Sequence, residues 1–134
     1  MDFVEQWHSY YAECFDMVRA LRLEPVSGSP QEVRVRMPLH TDVSQPQGYF
    51  AGPALIALSD ITASWLGMVA RPADGFPLLV QMSASLVSNT NQGYANACAT
   101  PVKFGRRLWV VNVEVTDDDG KVLLTATGSF IPQP

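Results

Sequence analysis

The sequence predicts an α+β fold: one long apolar helix wrapped by a curved antiparallel sheet, with a shorter helix ahead of it. Three observations carry this expectation. The run from Gly48 to Ala70 (GYFAGPALIALSDITASWLGMVA) holds a single charged residue, Asp60, and has helical periodicity. One β-patterned segment precedes that run and four follow it. Helices and strands are segregated rather than alternating, which is the α+β pattern and not the doubly wound one. A helix this apolar is covered only if the sheet curls around it.

Residues 2–21 read as the first helix. Asp2 is placed to cap it with Glu5 three residues on, and Phe3, Trp7, Tyr10, Tyr11, Cys14, Val18 and Leu21 recur at helical spacing. Pro25, Gly28 and Pro30 break that pattern. Residues 32–38 (EVRVRMP) alternate, with Val33, Val35 and Met37 on one face and Arg34 and Arg36 on the other, as in a strand with one wet side. Residues 39–51 are rich in turn formers. The central helix then starts near Gly52, with Pro53 at the first helical position, where its missing N–H costs nothing. Its bulky face carries Leu55, Leu58, Ile61, Thr62, Trp65, Met68 and Val69; its other face carries Pro53, Ala57, Asp60, Ala63, Ser64 and Gly67. Past a turn at 72–77, strands are expected over 78–88, 93–103, 106–117 and 121–131 in antiparallel succession, the last two joined by the DDDG hairpin at 117–120.

The 134 residues suffice for one domain spanning 1–134. Apolar residues make up 47% and charged residues 16%, so the chain is globular and apolar enough to bury surface against copies of itself. A net charge of −4 and a pI near 4.9 argue against nucleic acid or an anionic membrane as partner. Cys14 and Cys98 suggest neither a disulfide framework nor a zinc site. The acidic N-terminus lacks the basic region of a signal peptide, and the apolar run, interrupted by Pro53, Ser59, Asp60, Thr62 and Gly67, reads as a buried helix; a cytoplasmic protein is expected.

Asp60 is the leading site candidate. A carboxylate on so apolar a helix must be solvated by a pocket, paired with a charge or put to chemical use, and no basic residue lies within the run.

In the order and spacing of these elements the chain resembles the hotdog fold, and specifically the PaaI-like acyl-CoA thioesterases, over nearly its whole length. That family's signature is an Asn, a Gly, then His-Gly-Gly, with an acid nine positions after the His. The matching stretch is QPQGYFAGPALIALSD. The resemblance places Asp60 on the catalytic acid, Gly52 on the glycine whose N–H polarises the thioester carbonyl, and Gly48 on the loop glycine. The sequence departs from the pattern at Ala51, where the His would stand, at Pro53 in place of the second Gly, and at Gln45 in place of the Asn. A strand position that supplies a helper Ser or Thr in some relatives is Leu79 here.

The resemblance implies a thioester hydrolase acting as a homodimer or homotetramer, with sites at the subunit interface and no metal or redox cofactor. Its substrate is an acyl-CoA or acyl-carrier thioester. Asp60 activates water or attacks directly. From their positions, Gln45 or Gln47 in the loop is placed to hydrogen-bond the water or the thioester oxygen, Phe50 to line an acyl pocket, and Gly48 and Ala51 lie beside the substrate. Lys103, Arg106 and Arg107 are placed to meet the phosphates of coenzyme A. One rival is a hotdog protein that binds acyl-CoA or another apolar ligand without turnover. A second is a hydratase, against which stands the lack of any His between 41 and 134. A third is a purely structural dimer module.

Overall fold

The computed structural model describes residues 1–14 and 16–133. Two short helices, α1 (Phe3–Tyr10) and α2 (Met17–Ala20), lead into a hairpin of β1 (Glu24–Ser29) and β2 (Glu32–Pro38). The long helix α3 (Gly52–Ala70) follows, and then β3 (Leu78–Leu86), β4 (Tyr94–Phe104), β5 (Trp109–Thr116) and β6 (Val122–Ile131). The six strands form one antiparallel sheet in the order β1-β2-β4-β5-β6-β3, and α3 packs on its inner face.

Why α3 seats so closely is legible in its neighbours. Ala95, Ala97 and Ala99 present a buried small-residue row on β4, while Val33, Val35 and Met37 on β2 and Val111, Val113 and Val115 on β5 fill the flanks. Ser59 and Thr62 are fully buried, yet their hydroxyls donate back to the carbonyls of Leu55 (2.9 Å) and Leu58 (2.7 Å), so neither hydroxyl is stranded. Near the far end of the helix the Trp109 ring lies directly on Gly67. A Cβ there would stand 2.5 Å from Cζ3 and 2.8 Å from Cε3 of the indole. Although α3 is long and apolar enough to cross a bilayer, it is mostly buried as the core of the sheet.

The structure corrects three expectations. Residues 2–21 are not one helix. Asp2 caps α1 through the Glu5 N–H as expected (2.8 Å), but Asp16, in extended backbone, caps a second helix through the Val18 N–H (3.0 Å), and Cys14 lies in the turn between them. The first helix has already ended at Tyr10, and Asp16 opens a separate one by satisfying one of its first N–H groups. Residues 24–29 form a strand despite Pro25 and Gly28. The strand is at the sheet edge, where a missing N–H is tolerated, and Gly28 leaves room for the Phe3 ring pressed against it. The last four strands are not in simple succession either: β3 pairs with β6, so residues 87–93 carry the chain across to β4.

The two sheet edges differ. β1 has α1 packed on it. β3 is open, with Leu78, Val80 and Leu86 exposed along it and Val87 just beyond. In the same last turns of α3 as Gly67, Phe3, Trp7, Tyr10, Tyr11 and Phe76 surround Trp65. The indole N–H donates to the Tyr11 hydroxyl at 3.0 Å, and burial pushes that phenol up to about 12.

Candidate active site

Residues 44–50 fold back on themselves before the helix begins. The Gln45 N–H donates to the Tyr49 carbonyl (2.8 Å), the Gly48 N–H to the Gln45 carbonyl (2.9 Å) and the Ala51 N–H to the Val43 carbonyl (2.8 Å). This tight return requires Gly48, whose φ is +90°. Phe50 sits with its ring in the core, 1% exposed. Ala51 is extended (φ −70°, ψ 134°) and precedes the helix, so Gly52 opens α3 with an N–H that has no carbonyl one turn back. A Cβ on Gly52 would meet only Leu86 Cδ2, at an ordinary 3.6 Å. Packing within the chain therefore does not demand glycine there.

Asp60 stands two turns further along, on the flank shared with Pro53, Ile56 and Ala57 and away from the buried stripe. It is half-buried, and the Ser64 hydroxyl donates to its Oδ1 at 3.3 Å. Among the described residues no lysine or arginine forms an ion pair with it. Desolvation raises the Asp60 carboxyl above the ordinary range, partly opposed by the Ser64 hydrogen bond. The small-residue face expected around it is narrower than the sequence implied: Ser64 is covered, and Gly67 is buried under Trp109.

Gln45 is half-buried in the loop. Its Oε1 accepts from the Gln47 N–H, and among the described residues its Nε2 has no partner, so one amide donor is spare. Lys103, Arg106 and Arg107 are brought together with Gly105 and Leu108 around one open concavity at the β4–β5 turn. A second concavity, of about 660 Å³, lies on the sheet face opposite α3, among Arg34, Ser83, Cys98, Asn112, Glu114 and Thr127. Leu79 is half-buried opposite Phe130 and puts no hydroxyl near the helix.

One residue escaped the sequence reading. Asn89, in the crossing between β3 and β4, accepts from the Phe50 N–H (3.2 Å) and donates to the Phe50 carbonyl (2.8 Å). Its side chain thereby serves as a one-residue strand partner for the backbone that leads into Gly52. A lone Asn in a polar loop gives no sequence signal for such a role, because the contact spans 39 residues.

This architecture is the hotdog fold, as the sequence resemblance implied, and solved structures of the thioesterase superfamily share it. The chain superposes on the thioesterase HI1161 of Haemophilus influenzae with a TM-score of 0.88, at 19% identity over 96% of this chain and 88% of the other. Two structures of the Staphylococcus aureus thioesterase SAV0944 match with TM-scores of 0.84 and 0.83, at 22% and 21% identity over 89% and 88% of this chain and 99% and 98% of the other. Both are alanine variants, one at a glutamate and one at a glutamine fifteen positions before it. A curated relative, the candidate esterase PM0788 of Pasteurella multocida, is 28% identical over 86 residues, which span 64% of this chain and 62% of that protein. No protein-family profile matches the chain. At these identities the structural likeness carries the fold, and the chemistry rests on the site.

Proposed function

We propose that the protein is an acyl-CoA thioesterase of the PaaI-like kind that works as a homodimer or homotetramer. The observation that carries this reading is Asp60: a desolvated carboxylate with no ion-pair partner among the described residues, eight residues beyond a helix-opening N–H on a glycine that packing does not require. Thioester hydrolysis needs a donor for the developing oxyanion and a carboxylate that takes a proton from water, and these two groups supply both. The N–H of Gly52 is reinforced by the positive end of α3. The spare Gln45 amide adds a second polar contact, and its fifteen-residue spacing to Asp60 matches that between the two substituted residues of SAV0944.

The two main groups do not serve one carbonyl from the same chain. Eight helical residues separate them by about 12 Å along the axis. A second copy whose α3 runs antiparallel would set its Gly52 against this Asp60. The open β3 edge, with Leu78, Val80, Leu86 and Val87, and Ile56 exposed on α3 form a surface suited to that copy. In the step itself, water gives a proton to Asp60 and its oxygen attacks the carbonyl held by the Gly52 N–H. The tetrahedral intermediate then collapses and expels the thiolate, which takes up the proton from Asp60, leaving a carboxylic acid, free coenzyme A and the regenerated Asp60 carboxylate. Direct attack by Asp60, through an anhydride, uses the same groups. The cations at 103, 106 and 107 hold the coenzyme's phosphates.

Thiol release from a panel of aliphatic and aryl acyl-CoAs tests this. Wild type turns over a member of the panel, and folded Asp60→Asn loses at least about 100-fold in kcat. Equal low rates in both would leave a hotdog protein that binds such ligands without hydrolysing them.

A further inference from the structure

Arg71 ends α3 and reaches across to the sheet. Its Nη2 donates to the Phe104 carbonyl at 2.8 Å, whereas its Nη1 lies 3.9 Å from Asp74 in a half-exposed pair of little weight. Phe104 is the last residue of β4, with Lys103 before it and Gly105, Arg106 and Arg107 after it. The Phe104 ring lies against its cross-strand partner Trp109 (centroids 5.5 Å apart), and Trp109 in turn rests on Gly67 of α3. The base of the basic turn is thus joined to the last turns of the helix at two points.

The two joints differ in kind. The ring on Gly67 fixes separation; the charge-assisted hydrogen bond from Arg71 fixes direction, at the peptide adjoining the cations. Beyond Phe104 the turn has little else to order it. Arg106, Arg107 and Leu108 are exposed, and one backbone bond, from the Gly105 N–H to the Leu108 carbonyl (3.0 Å), closes it.

We propose that Arg71 is a positioning residue, which holds residues 104–108 so that Lys103, Arg106 and Arg107 converge on the phosphates of a coenzyme A thioester. The proposal rests on the thioesterase reading. Eleven helical residues put Arg71 about 16 Å along the axis from Asp60. The reacting end and the charged end of the ligand are therefore gauged from one rigid element, which suits a substrate whose thioester and phosphates are joined by a long arm.

Kinetics on one acyl group carried either by coenzyme A or by N-acetylcysteamine, which lacks the nucleotide, test this. The ratio of the two kcat/KM values is insensitive to the fraction of enzyme that is folded. Wild type favours the coenzyme A substrate. Arg71→Met, which keeps the apolar stem, lowers that ratio about tenfold through the KM for the coenzyme A substrate. Arg71→Lys restores part of it, and Asp74→Ala behaves as wild type. An unchanged ratio in both Arg71→Met and Arg71→Ala, with a lowered one in Arg106→Ala or Arg107→Ala, would overturn the positioning role and leave the turn as the phosphate site. A wild-type ratio near one would overturn it too, since the turn would then have no grip on the nucleotide. Hydrolysis of neither thioester by wild type would instead remove the thioesterase reading beneath it.

Discussion

Asp60 brings a stability cost along with its proposed catalytic role. Desolvation makes the folded chain hold the Asp60 proton more tightly than the unfolded chain does. Between the two pKa values the native state binds more protons, so stability falls as pH rises through that window, and the loss is complete above the folded-state pKa. Asp60→Asn has no such ionisation. Its melting temperature should exceed that of wild type at pH 7, and the gap should close as the pH falls through the folded-state pKa of Asp60. A gap that does not change with pH would mean that the ionised carboxylate is well solvated. Asp60 was visible in the sequence because charge is rare in that run. Asn89 was not, because its value lies in where β3 delivers the chain and not in its own neighbours.

At the level of elements, what could be read ahead of the structure was periodicity, and what could not was competition between neighbouring devices. Helix α3 and the alternation of β2 followed from spacing alone, and Asp-Gly marked the hairpin into β6. Asp16 as a second cap, and Pro25 and Gly28 inside an edge strand, oppose their local signals; edge position and the Phe3 ring decide those cases. The pairing of β3 with β6 leaves no local trace at all. Gly67 shows how far packing governs the central element. Gly67→Ala should help an isolated helix, yet here its methyl meets the Trp109 ring and comes within 3.3 Å of Pro77 Cγ. We expect a net loss of about 1–3 kcal/mol, measured by denaturant unfolding. A gain in stability would show that Trp109 yields freely.

For the whole molecule, the proposed mechanism and the spacing of Gly52 and Asp60 along α3 together make assembly part of the chemistry, and subunit mixing tests this. Gly52→Pro removes the N–H, and the extended backbone of Ala51 is already the conformation that a following proline demands. This variant and Asp60→Asn should each be nearly inactive alone. Unfolded together and refolded, half of the dimers would be mixed, each with one intact site built from both chains. About a quarter of wild-type activity should return. No recovery, with mixed dimers present by mass, would place both groups of a working site in one chain.

The seat of Trp109 on Gly67 also bears on how this protein could diversify. With no room for even a methyl group at that contact, α3 has little freedom to slide or roll to admit a larger acyl group of the proposed substrate. Changes in substrate range would then accumulate in residues 45–51 and on the surface offered to the second copy. Directed evolution toward bulkier thioesters should enrich substitutions there and leave the helix register untouched.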